Sequence, residues 1–95
     1  MANTGSWNYI LVFSDEVGTR EAVKRFLDSR DEVMTWYYCM SNAIFIPSTY
    51  TAKDLQKMFR QFTNDKGRFM ILDCNTDRDG WLTKDAWKFM RNEYP

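Results

Sequence analysis

The sequence predicts an α+β domain with the element order β-α-β-β-α-β and an added C-terminal helix. Apolar residues alternate from Trp7 to Phe13 as they do in a strand, two later segments carry apolar residues at helical spacing, and Ser41-Asn42 is a two-residue connection between strand-forming segments. The chain has 95 residues, the length of one domain. We expect a flexible leader over residues 1–6 and a single domain over residues 7–95.

The first strand and the first helix are predicted in the first third of the chain. Odd-numbered positions from Trp7 to Phe13 form one apolar strand face, and Ile10 and Val12 make the other face partly apolar. This pattern is typical of a central strand that is covered on at least one side. Thr19 is placed to cap the helix that follows, and Glu21 puts a negative charge in its first turn. The apolar face of that helix comprises Ala22, Val23, Phe26 and Leu27.

A hairpin is predicted next. Val33 to Met40 is rich in β-forming residues, and Ala43 to Ile46 would return as the third strand, which Pro47 would end. Thr51 would then cap a second helix, with Asp54 three residues on in an approximate capping box. Its apolar stripe is Leu55, Met58, Phe59 and Phe62.

The last elements are a strand and a short helix. Phe69 to Leu72 is wholly apolar and predicts a buried strand, and Thr83 would cap the C-terminal helix. We expect that helix to bury Ala86, Trp87 and Met90. The whole order is that of the split βαβ, or ferredoxin-like, fold, in which both main helices lie on one face of a four-stranded antiparallel sheet.

The other sheet face would then be open, and aromatic residues make up 17% of the chain, more than a small core readily hides. Alternation puts Trp36, Tyr38 and Met40 on one face of the second strand and Tyr37 and Cys39 on the other, so aromatic residues occur on both faces. Either the C-terminal helix covers the open face, or a second copy or a protein partner does. The candidate interface residues are Trp36, Tyr37, Tyr38, Met40 and Trp87.

Composition excludes several classes of function. Thirteen Lys and Arg balance thirteen Asp and Glu, which disfavours a basic nucleic-acid arm. The chain has no histidine, so Ser–His or Cys–His catalysis and histidine metal sites are excluded. Cys39 and Cys74 are interpreted as small buried apolar residues of a reduced protein. No segment has the pattern of a signal peptide or a membrane span, so we expect a cytoplasmic protein.

The segment from Asn75 to Ala86 can be aligned with a calcium loop of the EF-hand kind. Its ligands would be Asn75, Asp77, Asp79 and the backbone carbonyl of Trp81. The twelfth position is Ala86 where such loops carry a glutamate, and a strand rather than a helix is predicted before the loop. A polar turn that binds no metal is the alternative interpretation.

A resemblance to known proteins is carried by five segments of the chain, Tyr9–Asp15, Trp36–Tyr38, Ala43–Ile46, Thr51–Leu55 and Arg68–Leu72. These segments resemble those of small ferredoxin-like proteins related to the CRISPR-associated endoribonucleases, and of SinR-like bacterial proteins. The resemblance covers roughly residues 7 to 73. It implies that Asp15, contributed by each subunit of a dimer, would hold a divalent magnesium or manganese ion in a nuclease. An aspartate that follows a strand is also a common turn residue.

A modest basic region surrounds the second helix, and aromatic residues on the sheet could stack on bases if they faced solvent. The basic residues are Lys53, Lys57, Arg60, Lys66 and Arg68, and the aromatic ones are Tyr37 and Tyr38.

Our leading hypothesis is nevertheless a small, non-enzymatic binding protein without a cofactor, which acts as a homodimer or on a protein partner. A small accessory, regulatory or inhibitor protein of a bacterium or a mobile element fits the chain length and the resemblance. The alternatives are a metal-dependent nuclease or nucleic-acid-binding protein with Asp15 at its site, and a calcium-binding loop at residues 75–86.

Overall fold

The computed structural model describes residues 7–74 and 77–91, so the predicted leader lies outside the described residues. The strands are β1 (Trp7–Phe13), β2 (Tyr37–Met40), β3 (Ala43–Ser48) and β4 (Phe69–Asp73). The helices are α1 (Arg20–Asp28), α2 (Ala52–Thr63) and α3 (Lys84–Met90), and a short 3₁₀ turn covers Asp15–Val17. None of the described helices has the length and apolar character that crossing a membrane requires.

The four strands form one antiparallel sheet in the order β2-β3-β1-β4. Strand β1 is central, and its Leu11 lies opposite Ile44 of β3 on one side and Ile71 of β4 on the other. Strands β2 and β4 are the two edges. The predicted α+β class, with a four-stranded antiparallel sheet and three helices, is confirmed.

Helices α1 and α2 cover the first face of the sheet. Their apolar stripes pack against the odd-numbered side chains of β1, and Phe59 is fully buried at the centre of this layer. The ring of Phe59 contacts the rings of Phe13, Phe26 and Phe69. Both helices begin where the sequence predicts, because the hydroxyls of Thr19 and Thr51 accept hydrogen bonds from backbone N–H groups of the first turn.

Helix α3 covers part of the second face. Its buried residues Ala86, Phe89 and Met90 form a second, smaller core with Phe45 of β3. The side-chain amide of Asn8 donates a hydrogen bond to the carbonyl of Met90, which ties the end of α3 to β1. Trp87, which we expected to be buried, is partly exposed, and Phe89 is buried in addition to the expected residues.

The hairpin differs from the prediction at both outer ends. Strand β2 begins at Tyr37 rather than Val33, and Val33 instead packs into the first core from the preceding loop. Strand β3 continues through Pro47 to Ser48. Pro47 is tolerated because β2 has not yet begun opposite it, so no ladder hydrogen bond needs its missing N–H, while its carbonyl accepts a hydrogen bond from Met34.

Phe69 to Leu72 belong to a strand, as predicted, but the prediction that this strand is buried is wrong. Strand β4 forms, but as an edge strand, with Met70 54% and Leu72 45% exposed on the second face. Val12 of β1 is exposed beside Met70. A single helix is about 10 Å across, roughly two strand spacings, so α3 cannot cover all four strands.

Substitution of Gly67 tests the turn that leads into β4, and substitution of Gly80, in the loop after β4, is its control. Gly67 has a positive φ of 76°, and a Cβ added there would lie 2.8 Å from Ser14 Oγ and 3.0 Å from the backbone nitrogen of Val17. A Cβ on Gly80 would meet nothing within 4 Å. We expect Gly67→Ala to lower the free energy of unfolding by about 2 kcal/mol or more, and Gly80→Ala to leave it within about 0.5 kcal/mol. Urea denaturation measures both, and equal effects would contradict this description of the turn.

Candidate functional site

An apolar cavity lies on the second face of the sheet, between the strands, α3 and the loop that precedes α3. Its volume is about 300 Å³. The apolar lining residues are Ile10, Cys39, Phe45, Cys74, Leu82, Trp87 and Met90. Pockets of this size and character bind apolar or aromatic groups, with few polar contacts.

The side chain of Trp81 lies at the rim of this cavity and is 99% exposed. Met40, at the end of β2, is 56% exposed and also lines the rim. We call Met40, Trp81 and the cavity together the Trp81 surface. An indole that is almost wholly in water is unusual, because tryptophan is highly buried on average.

The loop that carries Trp81 is held at two points. The guanidinium of Arg78 donates a hydrogen bond of 2.7 Å to the carbonyl of Cys74, which fixes the loop near the end of β4. The hydroxyl of Thr83 accepts a hydrogen bond from Ala86 and caps α3 as predicted. Between these points the Asp79 carboxylate accepts a 2.8 Å hydrogen bond from the backbone N–H of Gly80, the next residue along the chain.

The five candidate interface residues do not form one surface. Met40 and Trp87 line the cavity, and Tyr37 lies on the same face, where its ring packs 5.3 Å from that of Phe89. Trp36 and Tyr38 instead pack against the first core, on the other face. Alternation assigned Met40 to the side of Tyr38, but the register shifts between these two residues, and Met40 reaches the rim of the cavity on the second face.

Charged side chains of α1 contact Tyr38 and the neighbouring Trp36. The guanidinium of Arg20 lies 4.2 Å from the centre of the Tyr38 ring, and the indole N–H of Trp36 donates a 2.7 Å hydrogen bond to Asp28. Burial raises the pKa of the Tyr38 hydroxyl, an effect that Arg20 partly opposes. Because Tyr37 packs on α3 and Tyr38 on the first core, the two rings do not offer one stacking platform to a nucleic acid.

Asp15 begins the 3₁₀ turn after β1 and is exposed. Its carboxylate accepts a 2.9 Å hydrogen bond from the amide of Asn42, which also donates to the carbonyl of Phe13. Asn42 is a turn residue of the β2–β3 hairpin, so Asp15 connects this hairpin to the end of the central strand. Asp15 and Asn42 line a shallow groove together with Arg20.

The predicted calcium ligands are only partly described. Asn75 lies outside the described residues, while Asp77 and Asp79 are exposed and Trp81 extends into solvent. Within residues 7–74 and 77–91, no three Asp, Glu, Cys or His side chains converge as metal ligands would.

The two cysteine thiols face the cavity and are half-buried. The Cys39 thiol donates to the carbonyl of Ala43 at 3.4 Å, and the Cys74 thiol donates to that of Asn8 at 3.1 Å. Burial raises the pKa of both thiols, and the nearby charge of Arg78 only partly offsets this for Cys74. A raised pKa keeps both thiols mainly protonated at neutral pH. The interpretation of both cysteines as buried holds only in part, because each is partly exposed.

Comparisons of the chain with protein-family models, with curated proteins and with solved structures give no significant match.

The sequence pattern predicts a binding role only for the backbone carbonyl of Trp81, not for its side chain. The available signal was a tryptophan within a run of polar turn residues, which neither a strand nor a helix pattern would bury. The cavity beside it could not be found in this way, because it is formed by residues from three separate parts of the chain.

The raised thiol pKa values lead to a prediction about chemical reactivity. At pH 8 we expect a disulfide reagent to react more slowly with Cys39 and Cys74 in the folded protein than in urea, because burial raises the pKa of both thiols and so lowers the fraction of reactive thiolate. Cys39→Ser and Cys74→Ser assign the two rates. A rapid reaction of either thiol in the folded protein would contradict its described burial.

Proposed function

We propose that the protein is a non-enzymatic binding protein and that the Trp81 surface joins two copies of the chain. The observation that carries this proposal is the position of a fully exposed indole beside an apolar cavity. Each copy has both a projecting aromatic group and a recess of suitable size on one surface. Two copies related by a twofold axis could exchange them, so that Trp81 of each fills the cavity of the other.

The energetics favour this pairing. A tryptophan side chain removes about 150–250 Å² from water when it is buried, which corresponds to about 4–6 kcal/mol for each indole before the cost of association. The Met40 side chain at the rim adds further apolar area without a charge. Two charged residues of opposite sign line the cavity, Asp79 and Arg78, and Arg78 is engaged with the Cys74 carbonyl. A twofold contact would therefore bring little like charge together.

The proposal includes the ferredoxin-like fold and a cytoplasmic location. The strand order β2-β3-β1-β4, with α1 between β1 and β2 and α2 between β3 and β4, supports the ferredoxin-like assignment. We further propose an accessory, regulatory or inhibitory role in a bacterium or a mobile element, on the basis of chain length and of the resemblance given above.

The two metal hypotheses are rivals of this proposal. A nuclease would use Asp15 with magnesium or manganese, and a calcium loop would use Asn75, Asp77, Asp79 and the carbonyl of Trp81. The hydrogen bond from Asn42 to Asp15 supports a structural role for that carboxylate instead. The exposure of Asp77 and Asp79, and the hydrogen bond that the Asp79 carboxylate accepts from the backbone of Gly80, support the interpretation of the loop as a polar connection that binds no metal.

Removal of the exposed indole tests the association. We expect sedimentation velocity of the wild-type protein to show a monomer–dimer equilibrium, and Trp81→Ala to weaken the dimer at least about 30-fold, as the loss of a central aromatic anchor does. Trp7→Ala is the matched control, because Trp7 is only partly exposed and lies at the start of β1, outside the cavity lining. A wild-type monomer at all concentrations, or equal effects of the two variants, would overturn the proposal.

A double-mutant cycle at Asp15 and Asn42 tests the structural role of the carboxylate. We expect Asp15→Ala and Asn42→Ala each to lower the free energy of unfolding, with a coupling energy of about 0.5–1.5 kcal/mol, the contribution of one hydrogen bond. We also expect no RNA or DNA cleavage that depends on Asp15. Cleavage with magnesium or manganese by the wild-type protein that Asp15→Ala abolishes would contradict this expectation and favour the nuclease.

A further inference from the structure

Strand β4 has one side that no described strand pairs with. Arg68 and Cys74 are both hydrogen-bonded to the chain of β1, through Ser14 and Asn8 respectively. Main-chain groups of an antiparallel strand alternate in direction, so those of residues 68, 70, 72 and 74 face β1. The main-chain N–H and C=O groups of Phe69 and Ile71 therefore point away from the sheet. Such an edge is a template on which another extended chain can pair.

A groove runs along this free edge, between β4 and α2. It has a volume of about 630 Å³ and is lined on one side by Lys53, Gln56 and Arg60 of α2. The other side is formed by β4 from Phe69 to Ile71. Several domains that bind peptides by adding a strand place the peptide between a sheet edge and a helix, because the edge supplies hydrogen bonds and the helix supplies side-chain contacts.

The groove is basic although the whole chain is neutral. Three cationic side chains line it, Lys53, Arg60 and Arg68, against a single carboxylate, that of Asp65. Asp65 contacts Arg60 at 2.9 Å, but both side chains remain mostly exposed, so the guanidinium can also reach a second carboxylate. The chain as a whole carries thirteen positive and thirteen negative charges, so the positive charge is a local property of the groove. It favours an acidic partner.

The opposite face of β4 is apolar. Met70 and Leu72 are exposed there, next to Val12 of β1. A strand added beside β4 would direct alternate side chains to the two faces of the sheet. One set would lie against the basic residues of α2, and the other set would extend the apolar strip formed by Val12, Met70 and Leu72.

We propose that β4 and the groove beside α2 bind an extended segment of another protein in which acidic and apolar residues alternate. The segment pairs with β4 as a fifth strand. Its carboxylates contact Lys53, Arg60 and Arg68, and its apolar side chains cover Met70 and Leu72. This site is separate from the Trp81 surface and does not depend on dimerisation.

A labelled synthetic peptide of alternating glutamate and valine, about seven residues long and blocked at both ends, is the probe. Fluorescence anisotropy should show saturable binding to the full chain, and a peptide of alternating lysine and valine should not bind. We expect Lys53→Glu and Arg68→Glu each to weaken the binding at least about fivefold. Lys57→Glu is the matched control, because Lys57 is an exposed lysine of the same helix that does not line the groove.

Methylation of the peptide backbone separates strand pairing from simple charge attraction. In an added strand all glutamate N–H groups point one way and all valine N–H groups the other. N-methylation of one set should abolish binding, and methylation of the other set should leave it intact. Equal effects of the two methylated peptides, equal effects of Lys53→Glu and Lys57→Glu, or absence of binding would each overturn the proposal. Tighter binding of a single-stranded oligonucleotide at the same groove would overturn it in favour of a nucleic-acid partner.

The peptide-binding experiments test this site whether or not the protein forms the proposed dimer. The titration is repeated on Trp81→Ala, in which the groove residues are unchanged. Unaltered peptide binding by that variant is the expected result. Loss of peptide binding in Trp81→Ala would contradict the independence of the two sites.

Discussion

The pairing of β1 on both sides determines the rest of the structure. Because β1 is paired on both sides, its odd-numbered side chains can be covered only from one face of the sheet and its even-numbered ones only from the other. The first face receives two helices and forms a continuous core around Phe59. The second face receives only α3, a helix of seven residues. The chain therefore has one complete layer and one incomplete layer, and both proposed binding sites involve the incomplete one.

The incomplete layer leaves two different kinds of surface. Near α3, the strands and the loop enclose an apolar recess with Trp81 beside it, which suits a compact aromatic contact. Beyond the reach of α3, Met70 and Leu72 remain exposed on an edge strand that still has main-chain groups to offer. We propose that the first surface pairs with a second copy of the chain, and that the second, which combines an apolar strip with a basic groove, binds a different molecule. One chain could thus self-associate and bind an acidic partner at the same time.

The features that the sequence predicts correctly are mostly those that depend on interactions between residues close together in the chain. The N-caps at Thr19, Thr51 and Thr83 depend on backbone N–H groups three residues away, and all three are confirmed. The hairpin turn at Ser41-Asn42 is likewise local. These features follow from short-range hydrogen bonding, which a sequence pattern contains directly.

The errors concern relations between distant parts of the chain. The exposure of Met70 and Leu72 depends on where α3 packs, which the apolar run of β4 does not encode. The face on which Met40 lies depends on a shift in register, and alternation assumes that none occurs. The candidate site shows the same limit, since Met40 and Trp87 were identified as interface residues but their meeting beside Trp81 needed the tertiary structure.

If Trp81 of one copy occupies the cavity of another, nuclear Overhauser effects between the two copies will detect the contact. An isotope-filtered experiment on a mixture of labelled and unlabelled chains records only contacts between copies. We expect nuclear Overhauser effects from the Trp81 indole of one copy to the methyl groups of Ile10, Leu82 and Met90 in the other, because these residues line the cavity. A dimer that lacks these effects, or in which another surface gives rise to them, would show that Trp81 does not join the two copies.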